Sequence, residues 1–95
     1  MHEETLVREM ATTAQEFQRV LAWAFPSGMS VRDGVLLVHA DGAMMEIVLR
    51  TLPPRVIGLL TLPRLEVRIR FNGGTAEQRR ALLRRMDGAL QRGGG

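Results

Sequence analysis

The sequence predicts an α+β domain: a two-layer sandwich in which an antiparallel sheet of three or four strands carries N- and C-terminal helices on one face. Three observations predict it. Apolar residues recur at helical spacing near both ends of the chain. Asp41-Gly42 lies between two apolar runs, the composition of a two-residue hairpin turn. From Arg64 onward apolar and charged residues alternate strictly. Two amphipathic helices and a one-sided sheet satisfy each other when both helices cover the same sheet face.

The first helix is expected over about residues 4–24. Leu6, Met10, Thr13, Ala14, Phe17, Val20, Leu21 and Ala24 fall within roughly a third of the circumference at 100° per residue. Glu4 precedes Arg8 by four and Glu16 precedes Arg19 by three, pairings that modestly support a helix. Phe25-Pro26-Ser27-Gly28 ends it, because the residue before a proline is pushed out of helical conformation. Trp23 lies off the apolar stripe.

The hairpin, residues 34–50, has a register that arithmetic fixes. Pairing Ala40 with Ala43 sets Val38 against Met45, Leu36 against Ile47 and Gly34 against Leu49, one apolar face. The other face receives His39 with Met44, Leu37 with Glu46, Val35 with Val48 and Asp33 with Arg50. A slip of one residue destroys this separation. Asp33-Gly34 and Asn72-Gly73-Gly74 read as turns.

Thr51-Leu52-Pro53-Pro54 breaks the pattern. Residues 55–62 fit either a short buried strand or a helical turn opened by Pro54, with extended structure preferred. Over residues 64–72, Leu65, Val67, Ile69 and Phe71 point one way and Arg64, Glu66, Arg68 and Arg70 the other, which suits antiparallel pairing. The last helix, 76–92, opens with Thr75 and Gln78 in capping-box spacing. Leu82, Leu83, Met86, Ala89 and Leu90 form its core stripe. Residues 93–95 are three glycines and read as a flexible tail.

Residues 1–95 make a single domain of 10.6 kDa. No apolar run approaches the 18 or so residues of a membrane span. The acidic first ten residues lack the apolar segment of a secretory signal. The expected location is cytoplasmic. Zero cysteines exclude disulfides, thiol catalysis and cysteine-ligated zinc.

All 13 basic residues are arginine, and tyrosine is absent, so a surplus of only +3 raises the sequence pI to about 11.3. The high pI reflects the missing intermediate buffers more than a strong field. The distribution is uneven: net −2 over residues 1–24, 0 over 25–63 and +5 over 64–95. An acidic front and a basic back can attract within the molecule, across a dimer or toward an anionic partner.

Converging polar groups are scarce. His39, with Asp41 two residues on and Met44 opposite, is the one candidate for metal or acid–base chemistry inside an element. Two ligands do not make a site, and a half-exposed strand histidine beside a turn is the simpler reading. The chain is therefore expected to be no enzyme and to carry no metal or cofactor. Arg68, Arg70, Arg80, Arg84 and Arg85 form the candidate nucleic-acid surface, since guanidinium forks suit phosphate oxygens. Against it, no aromatic side chain falls on the outer sheet face, and acidic residues are interleaved with the arginines. A solvated, salt-bridged surface accounts for them better.

The expectation favoured by the pattern is protein contact. Val35, Leu37, Met44 and Val48 are apolar on the face away from the helices, and Glu46 among them offers a charge to a partner. Six methionines add adaptable packing. The sequence thus points to a non-catalytic protein-interaction or assembly module, homodimeric through the outer sheet face. Backbone reading of nucleic acid is the alternative.

Overall fold

A computed structural model describes residues 5–93. Its elements are β1 (Thr5–Met10), α1 (Ala14–Ala24), β2 (Met29–Arg32), β3 (Val35–Ala40), β4 (Ala43–Ile57), β5 (Leu60–Asn72) and α2 (Ala76–Gly93). The protein is an α+β fold with one five-stranded antiparallel sheet in the order β1-β5-β4-β3-β2. The expected three or four strands thus become five. The two additions, β1 and β2, are the edges.

The hairpin register stands as the alternation requires. Ala40 pairs with Ala43, Val38 with Met45, Leu36 with Ile47, Leu37 with Glu46 and His39 with Met44. Asp41 and Gly42 both have positive φ, +54° and +84°, as a type I′ turn demands. Asp33 and Gly34, at +52° and +78°, repeat that geometry and pair β2 with β3, Arg32 opposite Val35. This second Asp-Gly turn separates Asp33 from Arg50, so the expected Asp33–Arg50 pair does not form. Arg50 binds Glu66 on the neighbouring strand instead, Nη2 to Oε2 at 2.9 Å.

The helix expected over about 4–24 begins only at Ala14. Leu6 and Met10, four apart, satisfy a period of two as well as one of 3.6, and here the period of two wins. β1 runs beside β5, Leu6 opposite Ile69 and Met10 opposite Leu65. The pairing satisfies a row of β5 backbone groups that a helix would have left open. Thr13 is the true N-cap: its Oγ1 accepts from the Glu16 backbone N–H at 3.1 Å. Arg8 pairs with Asp87 of α2, tying the edge strand to the second helix; Glu4 lies outside the described residues.

Thr75 and Gln78 form the expected capping box. The Gln78 backbone N–H donates to Thr75 Oγ1 at 3.1 Å, and the Thr75 N–H donates to Gln78 Oε1 at 2.8 Å. α2 extends to Gly93, one residue into the expected tail; residues 94 and 95 lie outside the described residues.

Both helices contribute to one core. Phe17, Leu21 and Phe25 join Leu82 and Met86 against Leu36, Val38, Met45, Ile47, Leu65, Val67 and Ile69, all buried. Arg85 stacks over the Phe25 ring at 4.6 Å and donates from Nη2 to the Ala24 carbonyl at 2.8 Å, closing the end of α1. Trp23 stands in solvent, 65% exposed.

Residues 55–62 are extended but not buried. β4 and β5 continue past their neighbours as a two-stranded arm that turns at Gly58 and Leu59. The neighbouring ladders end first, that of β3 at Leu36 opposite Ile47 and that of β1 at Met10 opposite Leu65, and prolines follow. Pro53, Pro54 and Pro63 carry no N–H, so neither outer edge of the ribbon can extend a ladder there. Pro53 and Pro54 oppose Pro63 alone, a bulge that shifts the register from Leu52–Arg64 to Arg55–Leu62.

Candidate interaction surface

Because side chains alternate along a strand, burying Leu36, Val38, Met45 and Ile47 under the helices puts their neighbours on the opposite face. That face carries Val35, Leu37 and His39 from β3, Met44, Glu46 and Val48 from β4, and Arg68 and Arg70 from β5. These residues line an open depression of about 1140 Å³, rimmed by Ser27, Ser30, Arg32 and Asp33 at the β2 side. The five residues expected to form an interface, Val35, Leu37, Met44, Glu46 and Val48, therefore lie together on its floor. Val48 is 45% exposed, and the other four are half-buried.

The β5 side of the face is polar and internally paired. Glu66 is the hub: Arg68 Nε donates to its Oε1 at 2.8 Å and Arg50 Nη2 to its Oε2 at 2.9 Å. These hydrogen bonds, that from Arg68 first, hold the Glu66 carboxyl below its ordinary pKa. On the flank, Arg64 Nη2 donates to Glu9 Oε1 at 2.6 Å, which likewise lowers the Glu9 carboxyl and raises the Arg64 guanidinium. Such exposed pairs add little stability. Their effect is on the surface: they neutralise the charges beside the depression and leave its β3–β4 half as the apolar part.

The candidate nucleic-acid arginines are divided. Arg68 and Arg70 lie on the outer sheet face, with Arg68 held by Glu66. Arg80, Arg84 and Arg85 lie on α2, across the molecule, and Arg85 is engaged at Phe25 and Ala24. His39 Nε2 and Met44 Sδ approach to 2.6 Å at the hairpin end of the depression. Among the described residues, no three His, Asp or Glu side chains gather as a metal-binding group.

Reading the sequence alone missed the arm. Val56, Ile57, Leu59, Leu60 and Leu62 are all exposed, Leu59 completely. The signal was present as an apolar run interrupted by Gly58 and bracketed by prolines. A central glycine between Ile57 and Leu60 is the mark of a two-residue hairpin. No described helix is long and apolar enough to cross a membrane. Compared with known protein families and with curated proteins, the chain matches none.

Proposed function

We propose that this chain is a non-catalytic protein-interaction module that self-associates through the outer face of its sheet. The observation that carries the proposal is the apolar floor Val35–Leu37–Met44–Val48, set in an open depression on the side of the sheet away from both helices. In this two-layer arrangement the helices shelter one apolar face and leave the other in water. Burying it against a copy of itself removes that exposure at a stroke, and a two-fold axis makes one patch serve both partners. Glu46 fixes orientation, since a carboxylate in an apolar contact is costly unless it meets a cation. The ion-paired margin of Glu66, Arg50 and Arg68 forms a polar rim of the kind that surrounds interface cores.

The proposal includes no catalysis, cofactor or metal, and takes the protein to be a cytoplasmic assembly component. The test is a pair of substitutions, Leu37→Glu and Val48→Glu, measured by light scattering and circular dichroism. Each is expected to convert a dimer to a monomer with the helical signal unchanged. A variant that keeps the dimer mass overturns the assignment of this face.

A further inference from the structure

The β4–β5 arm presents an apolar surface of its own. Its five exposed apolar side chains leave roughly 600 Å² in water, about half of it on the side that carries Ile57, Leu60 and Leu62, the rest from Val56 on the opposite side and Leu59 at the turn. The bulge at Pro53 and Pro54 decides where these side chains point. On β4, even-numbered residues up to Leu52 face outward with Val48 and Glu46. The extra residue inverts the parity, so Arg55 and Ile57 take over the outer side, paired with Leu62 and Leu60 on β5. The outer face of the sheet thus continues, past the ion-paired Arg50, Glu66 and Arg68, onto Ile57, Leu60 and Leu62 of the arm, with Arg55 beside them.

We infer that the occupant of the outer face is the arm of a second copy of this chain, each arm lying across its partner's depression. The inference rests on self-association through the outer face and adds the element that does the docking. The geometry closes by symmetry. A two-fold axis beside the base of the arm, parallel to the sheet and across its strands, stacks one copy's arm over the other's sheet and the reverse, at the ~10 Å spacing of packed sheets. The arm from Pro54 to Ile57 reaches about 10 Å at ordinary strand rise, with the Gly58-Leu59 turn beyond it, against about 13 Å from Met44 to Val48 on the floor it would cover.

The areas also suffice. If only the outer half of each arm is covered, two such contacts with matching surface on the faces bury about 1,200 Å², where stable interfaces begin. Arg55 arrives beside the apolar pair Ile57 and Leu60; the floor it meets carries Glu46, which lies opposite Arg70 of its own sheet. An arm-to-face contact also accounts for the prolines, which leave the ribbon free of the sheet's own edges and protected from ladder-type growth.

The experiment compares sedimentation of the native chain, an arm variant (Leu60→Glu with Leu62→Glu) and a face variant (Leu37→Glu with Val48→Glu). Both variants are expected to weaken self-association by about 100-fold or more with the fold intact, since each exposes two docked apolar side chains to a charge. A face variant that dissociates beside an arm variant that stays dimeric overturns the arm's role and leaves the face assignment standing; a native chain that is monomeric at every concentration overturns both. Because the sequence has no cysteine, geometry can be read directly. A Leu60→Cys copy mixed with a Val48→Cys copy is expected to form an inter-chain disulfide. Linkage confined to two Leu60→Cys copies, or binding of the native arm to anionic vesicles without any change in mass, overturns the arrangement.

Discussion

The turn into α2 offers a sharp test of how the fold holds the sheet. Gly73 and Gly74 both have positive φ, +73° and +79°, so alanine at either position is strained by about 1 kcal/mol. Their surroundings differ. A Cβ on Gly73 meets nothing within 4 Å, whereas one on Gly74 falls 2.6 Å from Ala43 Cβ, 3.1 Å from Ala43 Cα and 3.2 Å from the Gly42 carbonyl oxygen. Ala43 starts β4 immediately after the Asp41-Gly42 turn and is buried, so it cannot retreat without moving the hairpin. Overpacking of that kind adds about 1–3 kcal/mol. Gly73→Ala is therefore expected to cost about 1 kcal/mol and Gly74→Ala about 2–4 kcal/mol. In a domain this small these are Tm losses of about 5 °C and about 10–20 °C. Urea and thermal unfolding at one fixed protein concentration measure the difference, since self-association makes apparent stability depend on concentration. Equal losses for the two alanines would refute the close approach of the α2 turn to the hairpin.

Three further outcomes are expected. Thr75→Ala removes the hydroxyl that caps α2 and should destabilise the protein by about 1 kcal/mol, read as a lower urea midpoint. Ile47→Ala, at a fully buried position between the helices and the sheet, should cost about 2–5 kcal/mol in the same assay. Glu66 and Glu9 have folded pKa values below their unfolded ones, so the folded state binds fewer protons and each adds stability above the unfolded value that is lost as pH falls through the folded one. Between about pH 5 and about pH 3, Glu66→Gln should flatten the acid loss of stability slightly, the effect being small because the pairs are exposed.

How much of this was legible in the sequence follows from how local each signal is. The Asp41-Gly42 hairpin could be set residue by residue, because the turn dipeptide and the alternation agree on one register. The capping box at Thr75 was equally readable. β1 was not, because Leu6 and Met10 fit a helix in phase with Phe17 and only the need of β5 for a second neighbour reveals the strand. That need is a tertiary fact. Thr13 and Glu16 held the local clue: their capping spacing marks a helix start that the longer apolar stripe obscured. Asp33-Gly34 repeated the hairpin dipeptide, but β2 is short and mostly exposed, so no apolar alternation drew attention to it.

The floor of the depression followed from the period of two alone. The arm did not, because its side chains are as apolar as a core strand's. Leu59 and Leu60 stay in water because β3 turns away at Asp33-Gly34 and β1 ends at Met10, while Pro53, Pro54 and Pro63 offer no N–H to a substitute neighbour, and proline spacing does not announce which side of a chain will lack a partner.

If the exposed sheet face is where this chain meets its own copy, as proposed, the native protein is a dimer. Sedimentation equilibrium of the native protein over a hundredfold range of concentration tests it most directly. The expected mass is twice the 10.6 kDa of the chain. A mass that stays at the single-chain value up to the highest concentration contradicts it.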